Sequence, residues 1–397
     1  MSYVKSVSGS DYRFLVRGVM LYHTCPWLNL LNGPLMFKRR YVTLLPLFVL
    51  LAACSSKPKP TETDTTTGTP SGGFLLEPQH NVMQMGGDFA NNPNAQQFID
   101  KMVNKHGFDR QQLQEILSQA KRLDSVLRLM DNQAPTTSVK PPSGPNGAWL
   151  RYRKKFITPD NVQNGVVFWN QYEDALNRAW QVYGVPPEII VGIIGVETRW
   201  GRVMGKTRIL DALATLSFNY PRRAEYFSGE LETFLLMARA EGNDPLSLRG
   251  SYAGAMGYGQ FMPSSFKSYA VDFNGNGHIN LWDPEDAIGS VANYFKSHGW
   301  TKGAMVAVPA NGQAPYLDNG FKTKYPTSTL SAAGLSPSGS LGGYQEASLL
   351  RLDVGTGYQY WYGLPNFYTI TRYNHSTHYA MAVWQLGLAV AQARGGY

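Results

Sequence analysis

The chain has 397 residues, 43% of them hydrophobic and 16% charged, with a formal net charge of +8 and only two cysteines, Cys25 and Cys54. Lys5, Arg13, Arg17, Lys38, Arg39 and Arg40 against Asp11 place +5 of that charge in residues 1–53, leaving +3 for the rest; a nucleic-acid partner is therefore not expected. Beyond Cys54 there is no cysteine, so a disulfide framework is excluded and about 340 residues must hold together by core packing, a length that can do so.

Residues 1–35 do not read as a targeting segment, and Met36, just ahead of Lys38-Arg39-Arg40, is the expected start. Over residues 36–53 the basic cluster, the apolar run 41–53 and the closing Leu51-Ala52-Ala53-Cys54 read as a signal peptide of the lipoprotein kind. Cleavage would leave Cys54 to be acylated and to anchor the chain in a membrane. The run 41–53 is too short to cross about 30 Å of hydrocarbon as a helix. Ser55 after Cys54 favours, by analogy with sorting rules, the periplasmic face of the outer membrane. Residues 54–75, rich in Pro, Thr and Gly, read as a flexible tether.

A helical subdomain is expected over 76–150. Phe98, Met102 and Val103 form one stripe, closed by His106-Gly107; Asp109 caps a second helix carrying Leu113, Ile116 and Leu117, with Gln112 at the capping-box position. A Pro/Ser/Gly break follows at 135–147. Residues 164–299 are mostly helical again. From 301 to 371 short Val, Leu, Tyr and Trp runs alternate with Gly, Pro and Ser, down to YWYGLPNFYTI, and read as a small antiparallel sheet. A last helix is expected over 379–394. The fold class is α+β, mainly α.

Val185-Pro186-Pro187 opens a helix whose Ile189, Ile190, Val191, Ile193, Ile194 and Val196 leave no polar face, so it is expected to be buried. It ends at Glu197-Thr198-Arg199-Trp200-Gly201, with glycine as the stop. Desolvation and the negative helix end both raise the pKa of a carboxyl at 197. That is what a general acid for glycoside cleavage requires; the alternative is a structural ion pair with Arg199 or Arg202.

Downstream, Gly250-Ser251-Tyr252-Ala253-Gly254-Ala255-Met256-Gly257-Tyr258-Gly259-Gln260-Phe261-Met262-Pro263 is a glycine-rich loop suited to close backbone approach to a ligand. Tyr252, Tyr258 and Phe261 offer ring faces for sugars, and Gln260 can donate and accept as an acetamido group requires; the plain alternative is a tight turn into a helix after Pro263. Asp272-Phe273-Asn274-Gly275-Asn276-Gly277-His278 then fits an EF-hand frame of oxygen donors, with the carbonyl of His278 at the seventh position and Asp283 at the twelfth where glutamate is usual. Gly205-Lys206-Thr207 is not a phosphate loop, because its spacing from Gly201 is one short and it follows a helix. Glu230 and Glu232 follow Ser228 and are read as dipole-complementing acids at a helix start.

Glu197-Thr198 followed by Gly-Ala-Met-Gly-x-x-Gln-Phe-Met-Pro resembles the lysozyme-like core of bacterial lytic transglycosylases. With the lipobox, the calcium-type loop and the late Tyr373-Asn374 pair, residues 76–397 resemble the membrane-bound lytic murein transglycosylase B family. The resemblance implies a lysozyme-like catalytic core over 151–300 with an EF-hand-like loop at 272–286, a small β subdomain over 301–371, and a C-terminal helix over 372–397 packing back on the helical part. It implies cleavage of the β-1,4 bond between N-acetylmuramic acid and N-acetylglucosamine with formation of 1,6-anhydromuramic acid, Glu197 acting alone as acid and base. It further implies that Ser251 and Gln260 hold the substrate acetamido group. Tyr152, Tyr252, Phe261, Tyr294, Tyr373, Asn374 and Tyr379 would line the groove, and Arg222 and Arg223, otherwise a solvated loop pair, would meet carboxylates there. Structural Ca²⁺ is expected on Asp272, Asn274, Asn276, His278 and, by the resemblance, Asp286 rather than Asp283. No organic cofactor is expected. The partners are peptidoglycan glycan strands and a membrane, the chain is expected to be monomeric, and cell-wall synthase complexes are the protein partners considered. The alternatives are a murein-binding lipoprotein without activity and a hydrolysing muramidase.

Overall fold

The computed structural model describes residues 85–133 and 144–395; the lipobox with Cys54, the tether and most of the break after residue 134 lie outside the described residues. The first helices form where the caps predict. Helix α1 (Pro93–His106) starts at Asn92, whose side chain accepts from the Asn94 and Ala95 amides, and stops at left-handed Gly107. Asp109 caps α2 (Arg110–Ser118) through the Gln112 amide, and α3 (Asp124–Gln133) follows.

The centre is helical: α4 (Ala148–Arg153), α5 (Pro159–Gln171), α6 (Glu173–Tyr183) and α7 (Pro187–Thr198), then the two-residue strand β1 (Thr207–Arg208), α8 (Ile209–Asn219), α9 (Ala224–Ala240), strand β2 (Arg249–Gly250), α10 (Pro263–Tyr269) and α11 (Pro284–Ser297). The small sheet comprises β3 (Ala307–Gly312), β4 (Tyr325–Pro326), β5 (Leu335–Pro337), β6 (Glu346–Asp353) and β7 (Tyr358–Gly363), with α12 (Thr327–Ala332) between β4 and β5. It is antiparallel throughout, in the order β4-β6-β7-β3-β5, and has its own apolar cluster around Leu330, Leu349 and Tyr362. Helices α13 (Pro365–Tyr373) and α14 (Thr377–Ala393) bring the chain back to the helical core.

The pairing of α7 with α14 positions the site. A Cβ at Gly192 would lie 2.2 Å from the Val383 carbonyl oxygen, and one at Gly387 1.9 Å from that of Glu188. Only glycine lets the two backbones come this close, and the approach places the start of α14 against the end of α7. Both helices are otherwise packed on their apolar residues, α7 from Ile189 to Ile194 with almost no exposure.

Four local readings are corrected. The segment PNFYTI is helical rather than a strand: Pro365 occupies the first turn, and Phe367 and Ile370 are buried at helical spacing. The last helix begins at Thr377, capped by Ser376, two residues before its expected start. Arg222 and Arg223 belong to a 3₁₀ turn that leads into α9 rather than to an open loop. Glu230 and Glu232 lie in the middle of α9, both buried. Glu230 accepts from the backbone and hydroxyl of Ser264 (2.8 and 2.7 Å). Glu232 takes Lys101, Lys105 and His106 from α1, and these contacts overcome its burial and hold its carboxyl down to about 2. They are tertiary anchors, which local sequence does not reveal.

Candidate active site

Helix α7 ends in an unusual way. Arg199 (φ 51°) and Trp200 (φ 56°) are left-handed before Gly201 (φ 84°) is reached, so the stop begins two residues earlier than the glycine predicts. Left-handed backbone is costly away from glycine. Here the surroundings hold it in place. The Arg199 and Trp200 amides donate back to Gly195 and Ile194, and the Trp200 indole donates to the Val191 carbonyl (3.2 Å). Thr198 is fully buried; its hydroxyl donates to the Tyr258 carbonyl (2.9 Å) and accepts from the Gly201 amide (3.1 Å). Thr198 thus ties the helix end to the glycine loop.

Glu197 sits on this fixed turn, half-buried. The Tyr379 hydroxyl of α14 donates to its Oε1 at 2.5 Å. Burial pushes the Glu197 carboxyl up to about 7, against the opposing pull of that hydroxyl. Its charge in turn raises Tyr152, Tyr373 and Tyr379, after burial, which is the larger cause for each. Three tyrosines therefore surround one carboxyl. Among the described residues no arginine pairs with it and no second acid contributes to its titration, so the structural ion-pair reading with Arg199 or Arg202 is not what the geometry contains.

The glycine loop closes the other side. Gly254 and Gly257 take φ of 89° and 67°, and so does Gln260, a non-glycine residue, at 52°. A Cβ at Gly257 would stand 2.1 Å from the Leu281 carbonyl oxygen. The Gln260 side-chain amide donates to the Gly257 and Met204 carbonyls (2.9 and 3.3 Å), and Ser251 Oγ accepts from the Ala253 and Ala255 amides (3.2 and 3.0 Å). The Gln260 carbonyl oxygen and the Ser251 hydroxyl hydrogen are what these bonds leave for a ligand. The Tyr373 hydroxyl donates to the Gly259 carbonyl at 2.5 Å, so Tyr373 braces the loop while facing Glu197.

Not every expected groove residue reaches the groove. Phe261 and Tyr294 are 3% and 9% exposed, which corrects the expectation that Phe261 offers a ring face and that Tyr294 lines the groove. They pack behind Tyr373, and the Tyr294 hydroxyl is spent on the Arg372 carbonyl (2.6 Å). Tyr152 is half-buried, stacked near Trp149 and His378. Tyr252 is half-buried against the core and Asn374 is exposed just past α13. Arg222 and Arg223 are exposed at the start of α9, and the Arg223 guanidinium lies 4.3 Å from the centre of the Tyr226 ring. The His378 ring packs against both Trp149 and Tyr152; a lone histidine beside Tyr379 carries no signal in the sequence until α4 is known to pack there.

The 272–286 loop is built of oxygen donors. Asp272 accepts from the Gly275, Asn276 and Gly277 amides, and Gly275 and Gly277 are left-handed. Asp286 is fully buried and accepts from Phe273 (2.8 Å), Asn274 (3.1 Å) and Asn280 (2.8 Å). Asp283 faces the other way, capping α11 through the Glu285 amide. The His278 ring is exposed. Among the described residues no cluster of three or more His, Cys, Asp or Glu stands ready for a metal. A cation here would rest on the Asp272 and Asp286 carboxylates, the Asn274 and Asn276 amides and the His278 carbonyl, a hard-oxygen set that fits calcium. The loop also supports the site: the Tyr258 amide donates to the Leu281 carbonyl (2.9 Å) and the Trp282 indole to that of Arg249 (3.1 Å).

Comparison with known proteins places this geometry. The family model described as "Transglycosylase SLT domain" matches residues 90–388. The chain is 91% identical, over 90% of its length and 99% of the relative's, to the membrane-bound lytic murein transglycosylase B of Escherichia coli strain K12. The solved structure of the Escherichia coli lytic transglycosylase Slt35 in complex with bulgecin A is 87% identical, with a TM-score of 0.76, covering 81% of this chain and all of its own. The same enzyme in complex with calcium matches at 86% identity and the same TM-score and coverage.

Proposed function

This chain belongs to the transglycosylase SLT domain family and is a peptidoglycan-cleaving lytic transglycosylase; from that premise we propose that Glu197 alone carries both proton transfers. The observation that supports this is a carboxyl whose pKa burial pushes up to about 7, hydrogen-bonded by Tyr379 and, among the described residues, with no second acid acting on it. Glycosidases that use two carboxylates place them about 5 Å apart for retention and farther for inversion. With one, the positive charge that develops on the sugar is met by the substrate's own acetamido group. The Ser251 hydroxyl donates to the acetamido carbonyl, and the Gln260 carbonyl oxygen accepts from its N–H. Glu197 first protonates the leaving glycosidic oxygen. As carboxylate it then takes the proton of the muramyl 6-hydroxyl, which closes the 1,6-anhydro ring. Tyr152, Tyr252, Tyr373, Tyr379 and Asn374 line or support the bound strand. Arg222 and Arg223 meet carboxylates at its periphery.

The product decides between this and simple hydrolysis. Mass spectrometry of digested glycan is expected to give muramyl ends lighter by one water than a hydrolysed end. Hydrolysed masses throughout would sink the single-carboxyl cycle.

The relative whose structure holds calcium supports a Ca²⁺ on the 272–286 loop, held by Asp272, Asn274, Asn276, the His278 carbonyl and Asp286. It serves as a structural clamp that keeps Leu281 under the glycine loop. The name of the Escherichia coli relative supports membrane attachment, for which the lipobox supplies the means: acylation of Cys54 at the periplasmic face of the outer membrane, with residues 54–75 as the tether. The domain division proposed is the one read from the sequence, with 76–150 as a helical subdomain, 151–300 as the catalytic core and 301–371 as the β part.

A further inference from the structure

Apart from the groove, a cavity of about 430 Å³ opens beside the β1–β2 ribbon. Lys206, Arg208, Arg249, Asp211 and Ser125 line it. The ribbon register sets Arg208 directly opposite Arg249, and like charges facing each other across strands are destabilising. Arg208 is balanced by Asp211 at 2.7 Å. Arg249 spends one guanidinium N–H on the Lys206 carbonyl (2.9 Å) and pairs with no acid among the described residues; neither does Lys206. Asp211 is also occupied by the Lys121 amide (2.9 Å). Two exposed cations therefore converge on one cavity without a counter-charge.

The cavity adjoins the glycine loop through Arg249 and Lys206. Arg249 precedes Ser251 by two residues, and Gln260 bonds the Met204 carbonyl two residues before Lys206. A Cβ at Gly205 would lie 2.0 Å from the Gly250 carbonyl oxygen, so the two segments are in direct contact. The N-acetylated sugars of peptidoglycan are uncharged, and the carboxylates of this polymer are on its stem peptides.

We propose that this cavity is a stem-peptide subsite, in which Lys206 and Arg249 pair with a carboxylate of a peptide carried on a glycan strand in the groove. The assignment rests on the groove reading above. It predicts that the chain grips peptide-bearing strands better than bare ones, because charge-assisted hydrogen bonds to carboxylate are made only with the former.

The test uses the full chain, purified without acylation, in a Glu197→Gln background so that binding is read without turnover. It compares that protein with the same chain carrying Lys206→Gln and Arg249→Gln. The ligands are sacculi with their peptides, sacculi stripped of peptides by an amidase, and vesicles of anionic phospholipid. The added pair is expected to weaken binding to peptide-bearing sacculi about tenfold, a factor of a few per partly exposed contact, and to leave binding to stripped glycan unchanged, which also reports an intact fold. Equal loss on both glycans, no loss on either, or loss confined to the vesicles would overturn the subsite. Failure of the groove reading has a separate signature, namely turnover by the single Glu197→Gln protein.

Discussion

Glu197→Gln is expected to lower peptidoglycan turnover about a thousandfold or more while binding to intact sacculi persists. Glutamine keeps the size of the side chain and an oxygen to accept from the Tyr379 hydroxyl, so the packing of α7 on α14 is retained. What it lacks is the proton for the leaving oxygen and, afterwards, the basic site for the muramyl 6-hydroxyl. Among the described residues no second acid acts on Glu197, so none is in place to supply either. The readouts are release of soluble muropeptides and co-sedimentation with sacculi. Residual turnover within about tenfold of the parent would mean another group carries the proton, since general acid–base catalysis contributes at least a hundredfold. A binding lipoprotein without activity would show no turnover for the substitution to remove.

Asp286→Ala is expected to cost stability and activity together. Asp286 is fully buried, and its two oxygens satisfy the amides of Phe273, Asn274 and Asn280. Alanine leaves three backbone donors without their acceptor, at about 1–3 kcal/mol for each that water cannot reach; a loss of about 3 kcal/mol or more is expected overall. The damage should extend to the chemistry, because Leu281 in the same loop accepts the Tyr258 amide, and Tyr258 in turn accepts the Thr198 hydroxyl next to Glu197. Calcium separates the loop's two functions. Chelation is expected to lower the melting temperature of the parent chain and to leave that of Asp286→Ala nearly unchanged. An equal calcium response in both proteins would place the ion elsewhere. Asp283→Ala should act as loss of a helix cap, costing about 1 kcal/mol, with the calcium response intact.

The sequence carried the parts of the site that local chemistry determines. An unbroken apolar run ending in glutamate identified a buried helix with one acid at its end. The Asp-x-Asn-x-Asn-Gly-His run showed its oxygen donors without any knowledge of the fold. What was hidden depended on contacts between distant segments. Tyr379 meets Glu197 across 182 positions, and only the glycine-mediated contact of α7 with α14 brings them together. Phe261 has the composition of an exposed sugar platform because nothing local shows that it packs against Tyr294 and Tyr373 in the core. PNFYTI has the composition of a strand and becomes a helix because Pro365 follows the sheet's last residues and two of its apolar side chains find the core. The left-handed stop at Arg199 and Trp200 violates local preference. Such violations concentrate where geometry serves function, and this one fixes Glu197, the proposed proton donor.

The central claim is best tested by titrating one side chain. With the glutamate carboxyls labelled with ¹³C, NMR is expected to show Glu197 changing charge with a midpoint near 7, far above a solvent-exposed glutamate at about 4.3. The Tyr379 hydroxyl stabilises the anion, so in Tyr379→Phe the midpoint should climb further, and the high-pH limb of activity, where the acid form is lost, should move up with it. A midpoint in the ordinary glutamate range, unmoved by Tyr379→Phe, would contradict the account.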